Sequence, residues 1–279
     1  MSDIVANENI YNSNGVLLIA KGQKITKGMK QKLWKLNTSS EDGKTQSSTL
    51  NKNILVSDCS EKIAKKFSHI ESSTLEEASE VLNRIIFGSK LTPWQIFICA
   101  LSNYLDWLYT HSINVALIST LLSIKLKEGP EKQEQICLGA LLHDIGKLLI
   151  PKKILNQQDG LNGQDNHIVQ QHCELGYDMV TELNLPKPCA EIVLQHHERL
   201  DGSGYPHKIR GNQISDFAKA VMIADVLDNM TSYRPYRGTQ DIQDGIHTLL
   251  NEKSKFDLND VKVLLKCLGN DTSEEYGRV

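Results

Sequence analysis

ALLHDIGKLLIP, residues 140–151, decides how this chain of 279 residues is read. His143 and Asp144 stand side by side within a run of apolar residues, where an unpartnered polar side chain is costly to bury. A second stretch, LQHHERLDGSGYP at 194–206, repeats the pattern. There His196 and His197 follow an apolar segment and lead into a Gly-rich turn carrying Tyr205 and Pro206. Four groups that prefer water, set in core-like sequence, need a shared partner, and a metal cluster supplies one.

Outward from these two motifs the chain reads as helix after helix. SSTLEEASEVLNRIIFG (72–88) opens with Ser/Thr capping residues, carries Glu in its first turn and ends at a glycine. Residues 92–126 read as one long helix with Pro93 in its first turn. Further helices are expected at 131–148, 164–184, 187–198, 214–232, 239–251 and 258–268. The glycines of 156–163 and 199–213 mark loops. Near the start, GVLLIAKGQKIT (15–26) has strand-type content broken at Gly22 and suggests a short hairpin, followed by a helical KGMKQKLWKL. Ser39–Leu50 is polar and Ser/Thr-rich, which places a boundary there. The expected organisation is a small, regulatory N-terminal module over 1–50, a linker and lead-in helix over 51–91, and a helical domain over 92–279. The fold class is all-α apart from that hairpin.

Bulk properties narrow the function. A composition of 40% hydrophobic and 23% charged residues is that of an ordinary globular protein. A net charge of −3 gives no basic field for a long nucleic acid, so phosphate binding must be local. The long apolar stretch 92–127 is interrupted by Asp106 and His111, so no membrane insertion is expected. MSDIVANENIYN lacks the regions of a signal peptide. Six cysteines without a CxxC pair read as reduced thiols of a cytoplasmic protein.

The candidate ligands are His111, His143, Asp144, His172, His196, His197 and Asp225. Taken singly, each has an ordinary reading: a hydrogen-bonded core histidine for His111, a surface residue for His172, a helix-end carboxylate for Asp225. Taken together, five sites of like chemistry would each need a separate excuse. Imidazole mixed with carboxylate suits Fe, Mn, Ni or Zn, and the set is too rich for one ion. Asp144 has two oxygens and can bridge two metals. Water trapped between them becomes a nucleophile for in-line attack on phosphorus.

The chain resembles the HD-GYP family, a branch of the HD-domain metal-dependent phosphohydrolases. The matching elements are HSINVA (111–116), LLHDIGKLLIP (141–151), His172 with Gly176, HHERLDGSGYP (196–206) and ADVLDNMTSYRPYR (224–237), within about residues 92–240. The resemblance implies an HD-domain helical bundle, two or sometimes three ions (most often iron or manganese) and hydrolysis of cyclic di-GMP. It carries metal ligation onto the seven residues above, with Asp144 bridging. It also places Lys147 beside the nucleophilic water, an ammonium fit to hold a phosphate oxygen. Asp228, one turn after Asp225, is expected behind a ligand histidine. Tyr205 has two readings, a wall of the substrate pocket or local packing in its turn. Arg234 and Arg237 suit phosphate and guanine, and the resemblance favours ligand contact over a solvated basic loop.

Two departures stand out. Some members carry a glutamate one turn before the first histidine, at a third metal; here that position is Trp107. KKILNQQDGLNGQD after Pro151 lacks the Lys-Pro seen in related chains. Neither removes a ligand of a two-metal core. The expected protein is a cyclic di-GMP phosphodiesterase giving pGpG and onward GMP, with two divalent ions, Fe or Mn, and a homodimer or signalling protein as partner. The alternatives are a cyclic-dinucleotide sensor acting through partners and a phosphohydrolase for another cyclic dinucleotide.

Overall fold

The computed structural model describes residues 10–11, 17–19, 54–67, 69–88, 93–157, 163–232 and 241–270. Two compact units divide the chain, Met1–Asn51 and Lys52–Val279. In the first, β1 (Ile10–Tyr11) pairs antiparallel with β2 (Leu17–Ile19), Ile10 facing Ile19 and Tyr11 facing Leu17. This pairing starts upstream of the 15–26 stretch, because the apolar pair Ile10–Tyr11 supplies the partner strand. Gly22 and the helix expected after it lie outside the described residues.

Among its described residues the second unit is all-α. Its helices are α1 (Ile54–Lys66), α2 (Ser72–Phe87), α3 (Pro93–Tyr104), α4 (Asp106–Lys125), α5 (Pro130–Leu142), α6 (Lys152–Leu155), α7 (Gly163–Gln170), α8 (His172–Glu182), α9 (Lys187–Gln195), α10 (Asp216–Thr231), α11 (Ile242–Asn251) and α12 (Leu258–Cys267). Helix α4 is apolar nearly all round, as a helix must be to sit at the centre of a core. Helices α1, α2, α3, α5, α10 and α12 all pack on it. At 20 residues α4 is long and apolar enough to cross a membrane, a length the interrupting Asp106 and His111 were expected to prevent. It is instead the core helix, with 83% of its most apolar window buried by its neighbours. Asp257 caps α12 by accepting from the Asn259 and Asp260 N–H groups, and Asp241 caps α11 through the Gln243 N–H.

Three expected helices are interrupted. Residues 92–126 form two helices, since Leu105 is extended (φ −150°, ψ 114°) and turns the chain between α3 and α4. The helix expected over 131–148 ends at Leu142, and Ile145–Leu149 is a 3₁₀ segment. Residues 164–184 break at Gln171 into α7 and α8. Two of these breaks fall beside nominated residues: burying His143, Asp144 and His172 against one another requires the backbone to leave regular helix there. Helix α1 has no counterpart in the sequence reading, which treated that segment as linker.

Candidate metal centre

The seven nominated ligands converge from α4, α8, α10, the C-terminal end of α5 and the C-terminal end of α9. His111, His143 and Asp225 each offer an atom within 4.8 Å of the others. Asp144, His172, His196 and His197 do the same. All but His197 are fully or almost fully buried, and the His197 side chain is 14% exposed.

The imidazole tautomers follow from what lies behind each ring. His143 Nδ1 donates to Ala140 O at 2.6 Å, His172 Nδ1 to Val169 O at 2.6 Å and His196 Nδ1 to Val193 O at 2.9 Å. His111 Nδ1 donates to Asp228 Oδ2 at 2.7 Å. Carbonyls and carboxylates only accept, so each Nδ1 carries the hydrogen, and in the neutral ring each Nε2 keeps a bare lone pair. These bare nitrogens then face each other in two pairs. His111 and His143 Nε2 are 3.3 Å apart, and His172 and His196 Nε2 are 3.2 Å apart. Asp144 lies between the pairs. Its Oδ2 is 3.6 Å from His111 Nε2 and 3.3 Å from His143 Nε2, while its Oδ1 is 3.3 Å from His172 Nε2 and 3.8 Å from His196 Nε2. Oδ1 is buried with no hydrogen bond among the described residues. Asp225 Oδ1 joins the first pair, 3.0 Å from His111 Nε2, and Oδ2 lies 3.6 Å from His197 Nδ1.

Nitrogen and carboxylate lone pairs gathered at such distances call for cations. Two nitrogens bound about 2.1 Å from a common ion, at angles from 90° to tetrahedral, stand roughly 3.0–3.4 Å apart, which is the spacing of both pairs. The donor set therefore fits divalent metal. Electrostatics agree. Burial, reinforced by Lys147, pushes His172 down to about 3, and burial also lowers His196 and His197, so these rings are neutral donors near pH 7. Burial pushes Asp144 up, but His143 and Lys147 outweigh it and hold the carboxyl well below the usual range. Asp225 is likewise held low against its burial, by His111 and His197. His143 moves the other way: burial lowers it, yet Asp144 and Asp225 raise it overall. That corner of the cluster attracts positive charge.

Glycines let the backbones meet. A Cβ on Gly146 would lie 2.0 Å from His172 O and 2.7 Å from the Gly176 nitrogen, so only glycine lets the turn after Asp144 seat against the start of α8. A Cβ on Gly204 would lie 2.4 Å from His197 O, so the GYP turn folds directly back on the double histidine. Tyr205 stacks on His197 with centroids 4.6 Å apart and sits edge-on to His172. It is a wall of the ligand cluster itself. Lys147 lies on the 3₁₀ segment that follows the end of α5, and it binds Asp144 Oδ2 at 2.6 Å. Arg234 and Arg237 lie outside the described residues.

Around the His111 side the structure adds residues that the sequence reading passed over. Asn114 Nδ2 donates to Asp228 Oδ1 at 2.9 Å, and Asn229 Nδ2 donates to Asp225 Oδ1 at 2.7 Å. Their spacing, three after His111 and four after Asp225, was a signal available in the sequence. Lys66 had none. It comes from α1 and lies 3.6 Å from Asp228 Oδ1. A cavity of about 770 Å³ opens beside His111, lined in part by Lys62, Lys66, Tyr104, Trp107, Asn114 and Asn156. Trp107 is half-buried and its Nε1 donates to Asn156 Oδ1 at 3.1 Å.

Residues 95–259 match the family described as HD domain. Cyclic di-GMP phosphodiesterase PA4108 of Pseudomonas aeruginosa is 30% identical over 165 residues, 59% of this chain and 40% of that protein. A cyclic di-GMP phosphodiesterase of Thermotoga maritima is 29% identical over 221 residues, 78% of this chain and 56% of its own length. The 3′3′-cGAMP-specific phosphodiesterase 1 of Vibrio cholerae is 35% identical over 147 residues, 52% of this chain and 34% of that protein. The chain thus spans between about a third and just over half of these relatives. In fold it is similar to Bd1817, a HDG"Y"P protein from Bdellovibrio bacteriovorus, with a TM-score of 0.54 over 96% of both chains at 18% identity. With the HD pair, the double histidine and the GYP turn built into one cluster, the chain belongs to the HD domain family and to its HD-GYP branch.

Proposed function

We propose that this chain is a metal-dependent phosphodiesterase that opens cyclic di-GMP to pGpG, holding two divalent ions, iron or manganese. The observation that carries this reading is Asp144, whose two oxygens face two separate pairs of bare imidazole nitrogens. One ion would be held by His111, His143, Asp225 and Asp144, the other by Asp144, His172, His196 and His197. Bound there, divalent ions would polarise a phosphodiester and bring the pKa of water toward neutrality.

The remaining work falls to the protein. Lys147 is 13% exposed at the edge of the cluster, where its ammonium can meet a non-bridging phosphate oxygen and offset charge that grows in the transition state. In hydrolysis the oxygen of water bonds to phosphorus, the P–O3′ bond breaks and the 3′-oxygen takes up a proton. The buried, low-pKa carboxylates stay ionised throughout. Tyr205 fixes His197 by stacking, and Arg234 with Arg237 are assigned to the substrate's phosphates or guanines. The relatives named for cyclic di-GMP and for 3′3′-cGAMP support a cyclic dinucleotide as the substrate class.

The test is anaerobic purification, metal analysis and product identification with cyclic di-GMP and 3′3′-cGAMP. Expected are two ions per chain, pGpG as the first product and loss of activity on chelation, restored by Mn²⁺ or Fe²⁺. Hydrolysis of the mixed dinucleotide alone would move the substrate assignment. Full activity after complete chelation would overturn the mechanism.

A further inference from the structure

Helix α1 ends at Lys66, well before the family-matched residues begin at 95, yet Lys66 reaches the back of the metal centre. Its Nζ donates to Ser232 Oγ at 3.0 Å and lies 3.6 Å from Asp228 Oδ1. Ser232 Oγ in turn donates to the same Oδ1 at 2.5 Å, and Asn114 Nδ2 reaches it at 2.9 Å. Asp228 is completely buried, whereas Lys66 is 21% exposed and lines the cavity beside His111. Groups from α1, α4 and the end of α10 thus converge on one carboxylate oxygen, and the other, Oδ2, is left to hold His111 Nδ1 at 2.7 Å.

We infer that Lys66 is a positioning residue for the metal centre, acting through Asp228 to fix the ring of His111. A buried carboxylate needs nearby positive charge and a full set of donors to hold one orientation. Lys66 supplies the charge, and with Ser232 it sets the plane of the carboxyl. His111 follows, because its Nε2 can meet Asp225 and His143 only while Nδ1 points at Asp228. Partners behind a metal-binding histidine typically change metal affinity by about 10–100-fold when removed.

The inference rests on the proposed metal-dependent reading, and the test separates the two. Mn²⁺ is titrated into metal-free full-length chain, unmodified and as Lys66→Met, Lys66→Arg, Asp228→Asn and the Lys66→Met/Asp228→Asn double variant. Lys66→Met is expected to weaken one of the binding steps about tenfold, and Lys66→Arg to restore it. In the Asp228→Asn background, Lys66→Met should add nothing further. Turnover of cyclic di-GMP should show the loss in kcat with KM changed less than about twofold. Should Lys66→Met not fold, Lys66→Gln carries the same comparison. Unchanged Mn²⁺ affinity with a raised KM would make Lys66 a substrate contact and overturn the inference, as would losses in the double variant that simply add. If the unmodified chain binds Mn²⁺ but hydrolyses nothing, the proposed function fails while the titration still decides on Lys66.

Discussion

The two halves of the metal centre are held by different means. The half made by His111, His143 and Asp225 is backed mainly by removable side chains, with His143 alone resting on a carbonyl, that of Ala140: Asp228 lies behind His111, Asn114 and Lys66 behind Asp228, and Asn229 on Asp225. The half made by Asp144, His172, His196 and His197 is backed mainly by backbone. His172 and His196 rest on carbonyls three residues earlier, and Gly146 and Gly204 let neighbouring segments touch directly. One half is tuned by hydrogen-bonding chemistry and the other by close approach. Polar substitutions should therefore damage the first half selectively, and added volume the second.

The largest effect belongs to the residue shared by both halves. Asp144→Ala removes an oxygen from each donor set, so both ions should be lost and hydrolysis should fall by more than about 100-fold, beyond the usual effect of losing an outer partner. Metal analysis and a cyclic di-GMP assay check this. An Asp144→Ala protein that retains both ions would abolish the comparison, since Asp144 is the carboxylate whose two oxygens face the two imidazole pairs. Next comes Gly146→Ala. Its Cβ cannot be accommodated 2.0 Å from a backbone oxygen, so the turn must move away from α8. Overpacking of this kind costs roughly 1–3 kcal/mol, and it draws His172 from Asp144. The expected outcome is a lower Tm, loss of the ion held by His172 and His196, and retention of the other. Equal loss of both ions would show one cooperative cluster with no separable halves.

Much of the centre was legible in the sequence because burial imposes its own grammar. His143–Asp144 and His196–His197 in apolar runs make sense only with a shared partner, and all seven nominated side chains do converge. What hid was tertiary. The helix breaks at Leu105 and Gln171 carry no proline or glycine, and they arise because the chain must redirect α4 and α8 into the cluster. Lys147 could not be placed from helical spacing once α5 ended at Leu142. Lys66 lies 162 residues from Asp228, and nothing in IAKK distinguishes it from a solvated lysine. The carbonyl supports of the second half leave no trace in side-chain identity at all.

A smaller effect, confined to the first half, is expected of Asp228→Asn. The amide keeps the shape but presents a neutral group to His111 Nδ1, so the ring is held and polarised less. The ion at His111, His143 and Asp225 should bind about 10–100-fold more weakly, with the second ion and the Tm little changed. Titration of Mn²⁺ into metal-free protein reads both steps. Weakening of the other step instead would mean that Asp228 acts on the wrong half.

The smallest expected effect on turnover belongs to Trp107→Glu, which asks whether the first half can be enlarged. Trp107 and His111 are four residues apart on α4 and line the same cavity, so a carboxylate at 107 would rise on the face that carries His111. Indole offers only an N–H donor, here committed to Asn156, and cannot ligate a cation. The unmodified chain is therefore expected to hold two ions at saturating Mn²⁺. Trp107→Glu removes the ring and its bond to Asn156, which costs roughly a few kcal/mol, and it places an anionic oxygen toward space that an ion could fill. The expected result is a third ion per chain by metal analysis, with the original two retained and turnover changed only modestly. Three ions in the unmodified chain would mean that the half-buried indole excludes nothing. Two ions in both proteins would mean that one carboxylate is too few donors for a third site, and that residue 107 bears on packing alone.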